Sequence, residues 1–211
     1  MAATGPVLKV DAVVFDLGRV LIDYDWQRAL EALRPWTGLE PAETQRRVLT
    51  RTRFTDFETG RIAPEEFHTQ LQAALATQIP FAVFRELWCS IFTAEIVPVA
   101  DVARALLRRG RVKVAALSNT NALHAEFLRR TWPLLNELPH AFLSNEIGLR
   151  KPDPAAFRLV LERLAIAPGH VVFVDDLTEN VTVAEQLGMK AILAHGPERI
   201  VADLARLGLT G

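Results

Sequence analysis

The chain contains a single cysteine, a single tyrosine and two methionines, and only four of its 24 basic residues are lysines. One cysteine, Cys89, excludes an internal disulfide and a cysteine-based zinc site. It is expected as a buried, reduced thiol. Charge of either sign is scarce as a net quantity: the formal charge is -1 and the pI about 6.5. Nothing in that balance offers a basic face to nucleic acid or to an anionic membrane. No apolar run approaches the ~20 residues that cross a bilayer. The start, "MAATGPVLKV", lacks the charged residues and apolar h-region that export requires. The default expectation is a cytoplasmic protein, monomeric or homodimeric, with no nucleic-acid or membrane partner.

What is present is enough apolar sequence, 50% of 211 residues, for one sizeable core or a core plus a small insertion. Five short apolar runs recur: "VDAVVFD", "VKVAALSN", "HAFLSNE", "HVVFVDD" and "KAILAH". Their apolarity is nearly continuous rather than alternating, as in parallel strands buried on both faces. Helical patterns lie between them at 99–109, 121–132, 153–165 and 178–187, with another at 197–207. Pro154 and Pro197 suit the first turn of a helix. The expected fold is α/β: a doubly wound, Rossmann-like parallel sheet. Residues 23–95 break the rhythm and read as helices only, with breaks at Pro35, Gly38, Gly60, Pro64 and Pro80. The expected division is a core of residues 1–22 and 96–211, with a small all-helical unit, 23–95, inserted after the first strand.

In open α/β sheets ligands bind outside the carboxyl ends of the strands. Those ends carry Asp16, then Ser118-Asn119-Thr120, then Lys151-Pro152 after the third strand, then Asp175-Asp176. Parallel strands would bring all of them to one crevice. Three carboxylates there would repel, and at least one pKa would rise. A hard cation such as Mg²⁺, which takes one or two carboxylates with waters and a phosphate, removes that cost. Ser118, neighbouring backbone N–H groups and the Lys151 ammonium suit an anion with several oxygens. Asp16 is then a metal ligand and a candidate nucleophile.

The set "FDLGRVL", "LSNT", "KPDP" and "VFVDDLTEN" resembles the four motifs of the haloacid dehalogenase-like hydrolase superfamily, in order, in strand-end placement and in the insertion after the first. The resemblance implies a phosphatase for a small phosphorylated metabolite, in which Asp16 forms an aspartyl-phosphate that water hydrolyses. It implies that Ser118, the Asn119 backbone and Lys151 hold the phosphoryl oxygens. Mg²⁺ would lie between Asp16, the Gly18 carbonyl and Asp176, with Asp175 acting directly or through water and Asn180 bracing the loop. The insertion corresponds to a selectivity-giving helical cap.

Position 18 departs from the usual pattern, which has an aspartate there as acid and base. A positioned acid-base group is typically worth ~10²–10⁴ in rate. Three readings are open: an easily expelled leaving group such as an anomeric sugar phosphate, a substitute group such as Asp23 or Asp25, or a degenerate phosphate-binding protein. "FDLGRVLIDYD", "LSNTNALH" and "GLRKPDP" resemble the bacterial α-glucose-1-phosphate phosphatase group, which shares the glycine, and this favours a sugar phosphate such as a hexose 1-phosphate. A 2-haloacid dehalogenase is the enzymatic alternative, though that chemistry has no need of both Asp175 and Asp176. Arg19, just after the turn, is a further candidate for an anionic substrate. The five histidines lack metal-ligand spacing, and Trp26, Trp36, Trp88 and Trp132 are expected as core.

Overall fold

The computed structural model describes residues 9–210. Within them the apolar runs form the strands Ala12–Phe15 (β1), Lys113–Ser118 (β4), His140–Leu143 (β5), Val171–Asp175 (β6) and Lys190–Leu193 (β7). Two further short strands are Ile22–Tyr24 (β2) and Phe92–Glu95 (β3). The five long-run strands build one sheet in the order β5-β4-β1-β6-β7, every pairing parallel. β1 is central, with Val14 paired to Ala115 on one side and Phe173 on the other. Its side chains alternate between two apolar layers, which explains the unbroken apolar run. Val13 and Phe15 join one buried cluster, Ala12 and Val14 another.

Helices cover both faces. Val97–Arg109 (α6), Ala122–Thr131 (α7), Leu134–Glu137 (α8) and Pro197–Arg206 (α12) supply the first layer. Pro154–Leu164 (α10) and Thr178–Gln186 (α11) supply the second, while the short Ser144–Ile147 (α9) follows β5. Local chemistry fixes several starts. Asn121 caps α7 by accepting from His124 N at 3.1 Å, and Asp153 caps α10 by accepting from Ala155 N at 2.8 Å. Pro154 and Pro197 occupy first-turn positions as expected.

The inserted segment carries Trp26–Thr37 (α1), Pro41–Arg51 (α2), Phe54–Glu58 (α3), Pro64–Leu75 (α4) and Phe81–Cys89 (α5). Its own aromatic-rich core includes Phe57 stacked on Phe67 at 4.2 Å. Cys89 is buried there, its pKa pushed up to about 12 by burial, and its Sγ lies 3.6 Å from Leu123 O. Two expectations are corrected. The segment is not helical throughout, because β2 and β3 at its two ends pair as an antiparallel ribbon separate from the main sheet. Three- and four-residue strands carry too little period for sequence to reveal them. Pro35 does not end α1, which runs two residues further and stops at Gly38 in the left-handed conformation. Proline in a last turn forfeits one backbone bond, and Asp25 holds the other end by accepting from Gln27 N at 2.9 Å.

Candidate active site

Central placement delivers Asp16 to the carboxyl edge of β1, where its N–H still donates to Val174 O at 2.8 Å. Its Oδ1 accepts from Leu17 N at 2.6 Å and from Lys151 Nζ at 2.9 Å. The same ammonium donates to Asp175 Oδ2 at 2.6 Å, and its side chain is only 1% exposed. Both oxygens of Asp175 are engaged: its Oδ1 also accepts from Leu177 N and from Asn180 Nδ2, both at 2.9 Å. It thus ties down the turn that leads into α11 as well as anchoring Lys151. Asp176 faces the cavity instead, half-buried.

Lys151 is held in register from the other side. Asn119 donates from Nδ2 to Lys151 O and accepts at Oδ1 from Lys151 N, each at 2.8 Å. The Asn119 side chain is therefore committed to the loop. Ser144 ties the same region together: its Oγ accepts from Thr120 N at 2.8 Å and lies 2.6 Å from Glu58 O on α3.

The charges do not balance locally. Oxygens of Asp16, Asp175 and Asp176 lie within 4.8 Å of one another, against one ammonium. Burial pushes the Asp16 pKa up to about 6; Lys151 opposes the rise, and Asp175 and Asp176 add to it. Burial also raises Asp176, with Asp175 next. Burial works against the charge on Lys151, but Asp16 and Asp175 outweigh it and hold its pKa above the ordinary value. Asn180 Oδ1, buried among these groups, has no hydrogen-bond partner. Surplus carboxylate oxygens beside an orphaned amide oxygen are the donor set of a hard divalent cation.

A cavity of about 200 Å³ opens over these groups, lined by Asp16, Gly18, Ser118, Asn119, Lys151, Asp176 and Asn180 from the core. Seven expected positions therefore converge, with Asp175 directly behind them. Arg19 does not line the cavity. It is exposed, takes a left-handed backbone (φ 56°), and lays its guanidinium 5.3 Å from the centre of the Tyr24 ring. Asp23 and Asp25, weighed as substitutes for an acid at position 18, are exposed and engaged elsewhere. Asp23 accepts from Thr93 Oγ1 at 3.1 Å, and Asp25 caps α1.

The opposite wall comes from the insertion and its ribbon. Tyr24, Trp26, Ile91 and Phe92 line it, with Glu58 and Arg150 paired at 3.1 Å across the seam. Burial raises the Glu58 pKa, with Arg150 opposing. Trp26, expected as core, is thus partly a wall. None of these residues was singled out in the sequence as a site residue. His124 also lines the cavity, but both ring nitrogens are engaged, with Asn121 Nδ2 and Trp88 O each at 3.0 Å. Burial drops its pKa to about 4, so it is neutral, with Nε2–H donating to Trp88 O.

Comparison with known proteins bears directly on this arrangement. Residues 10–188 match the model of a hydrolase family, haloacid dehalogenase-like hydrolase. The chain belongs to that family. A D-ribitol-5-phosphate phosphatase of Bacteroides thetaiotaomicron is 28% identical over 84% of this chain and 88% of its own length. A phosphatase of Mycobacterium tuberculosis is 31% identical over 95% of this chain and 96% of its own. A haloacid dehalogenase-family enzyme of B. thetaiotaomicron, solved with magnesium and inorganic phosphate, matches with a TM-score of 0.77 at 25% identity. That match covers 89% of this chain and 95% of the other. Membership makes the protein a hydrolase on the family's parallel-sheet fold. No described helix is long and apolar enough to cross a membrane.

Proposed function

We propose that the protein is a Mg²⁺-dependent phosphomonoester hydrolase acting through an aspartyl-phosphate on Asp16. The observation that carries this is the grouping at the end of β1: a nucleophilic carboxylate 2.9 Å from a buried ammonium and within 4.8 Å of two more carboxylates. Asp16, Asp176 and the Gly18 carbonyl would hold the metal, with Asp175 bracing Lys151 behind them. When bound, Mg²⁺ neutralises the carboxylates and polarises the phosphoryl group. Lys151, Ser118 and the Asn119 backbone bind the phosphoryl oxygens. Asp16 attacks phosphorus as the ester P–O bond breaks, and water then attacks the aspartyl-phosphate, releasing inorganic phosphate and restoring the carboxylate. Residues 23–95 act as the cap, its ribbon wall excluding water during transfer.

The substrate class is a small sugar or polyol phosphate. A cavity of about 200 Å³ suits a metabolite, and the relative named for D-ribitol 5-phosphate acts on that class. Glycine at position 18 favours an easily expelled leaving group, as in a hexose 1-phosphate. Retention of both Asp175 and Asp176 beside Lys151 speaks against haloacid dehalogenation, which has no phosphoryl charge to neutralise.

Inorganic phosphate release from glucose 1-phosphate, glucose 6-phosphate, ribitol 5-phosphate and p-nitrophenyl phosphate tests the reading. Release is expected with Mg²⁺, lost in EDTA, and reduced at least ~10³-fold in Asp16→Asn. Chelator-insensitive chloride release from chloroacetate would replace the phosphatase with the dehalogenase. Phosphate plus Mg²⁺ raising the melting temperature without any turnover would point to a binding protein.

A further inference from the structure

The missing aspartate at position 18 has left its space filled, and the filling is specific. A Cβ built on Gly18 would lie 2.6 Å from Tyr24 Cε1, 3.2 Å from Cδ1 and 3.6 Å from Cζ. The Tyr24 ring therefore stands where a side chain at 18 would project. The phenol oxygen is one bond beyond that Cζ, on a residue lining the cavity. A register shift falls between Asp23 and Tyr24 in the ribbon, the kind of irregularity that re-aims side chains beside active sites. Its neighbours Asp23 and Asp25 face solvent, so the alternation of the strand singles out Tyr24. Arg19 places its guanidinium over the ring, 5.3 Å from its centre.

We propose that Tyr24 is a catalytic residue: its O–H donates a hydrogen bond to the bridging ester oxygen as the P–O bond breaks, in the place left open by Gly18. This rests on the phosphohydrolase reading above. Asp16 forms its bond to phosphorus while the ester electron pair leaves on the bridging oxygen. That oxygen is stabilised by the Tyr24 O–H and takes its proton from water, and Tyr24 keeps its own. A donor aimed at developing charge is typically worth ~10²–10³ in rate. The arrangement accounts for the pairing of a glycine with a tyrosine six residues on.

The test compares the fastest-cleaved sugar phosphate with p-nitrophenyl phosphate, whose leaving phenolate needs no donor, in wild type and variants with Mg²⁺. In Tyr24→Phe, which keeps the ring against Gly18, the ratio of kcat for the sugar ester to kcat for the nitrophenyl ester is expected to fall ~10²-fold with KM little changed. Gly18→Asp alone clashes with the ring, whereas Gly18→Asp with Tyr24→Ala makes room for a carboxylate. The pair is expected to recover at least ten-fold in sugar-ester kcat over Tyr24→Ala. An unchanged ester ratio in Tyr24→Phe, with wild type active on both esters, overturns this inference and leaves the phosphohydrolase reading standing. Wild type inactive on every ester overturns both.

Discussion

Lys151 carries more of the site's electrostatics than its single charge suggests. It is buried between two carboxylates, at 2.9 Å from Asp16 and 2.6 Å from Asp175. Removing one partner of a buried ion pair strands the others, at about 3–5 kcal/mol. Lys151→Met is therefore expected to lose about that much stability in urea unfolding at pH 8 in EDTA. The loss should shrink at pH 5, where Asp16, already pushed up to about 6, takes a proton and needs no ammonium. An equal loss at both pH values would show that packing, not charge, sets the cost. At this scale the sequence was informative wherever a residue type has one chemical use. Asp16, Asp175 and Asp176 stood out as charges ending apolar runs, and Lys151 as a rare lysine after the third strand. Tyr24, Glu58 and Ser144 did not, because a tyrosine in a short strand or a serine after one is unremarkable until its neighbours across the fold are seen.

Between elements, the seam of insertion and core depends on a close backbone approach. At Gly60 (φ 67°) a Cβ would meet Asn145 O at 2.1 Å, so α3 can lie against α9 only without a side chain there. Asn145 O is backbone and cannot swing aside. Gly60→Ala is expected to cost about 2–4 kcal/mol from overpacking and left-handed strain together. It should also lower kcat, since α3 carries Glu58 to the cavity. Thermal melts and kinetics on the purified variant would check both, and an unchanged melt would mean that the seam yields. The sequence marked Gly60 as a break between helices and assigned it no contact. Elements with long period were legible: five strands and the helices between them. The ribbon of β2 and β3 was hidden by its length, and the end of α1 by a proline tolerated in its last turn.

For the whole molecule, pH acts through the buried histidine that joins insertion to core. His124 sits on α7, bonds the carbonyl of Trp88 on α5, and has its pKa lowered from 6.5 to about 4. The unfolded chain binds this proton first as pH falls. Stability from the neutral ring is thus complete above pH 6.5 and is lost progressively as pH falls through about 4, by about 3 kcal/mol. His124→Gln, which gains no proton, is expected to flatten the unfolding free energy between pH 7 and 4.5 relative to wild type. Parallel slopes would remove His124 from the account. In the sequence this histidine was one of five without metal-ligand spacing. That it serves as both wall and joint follows from the long-range meeting of α5 and α7, which no local pattern encodes.

The separation of the ribbon from the main sheet divides the active site by rigidity. Asp16 follows a strand hydrogen-bonded on both sides at the centre of five, so β1 amides should exchange with solvent at rates near the global unfolding limit. Tyr24 sits on a strand of three residues with one partner, where opening takes far less free energy. The half that would hold phosphorus is thus stiff and the half that would meet the leaving group is pliable. On the proposed mechanism, substitutions in the ribbon would retune which alcohol is released while the phosphoryl-holding half stays unchanged.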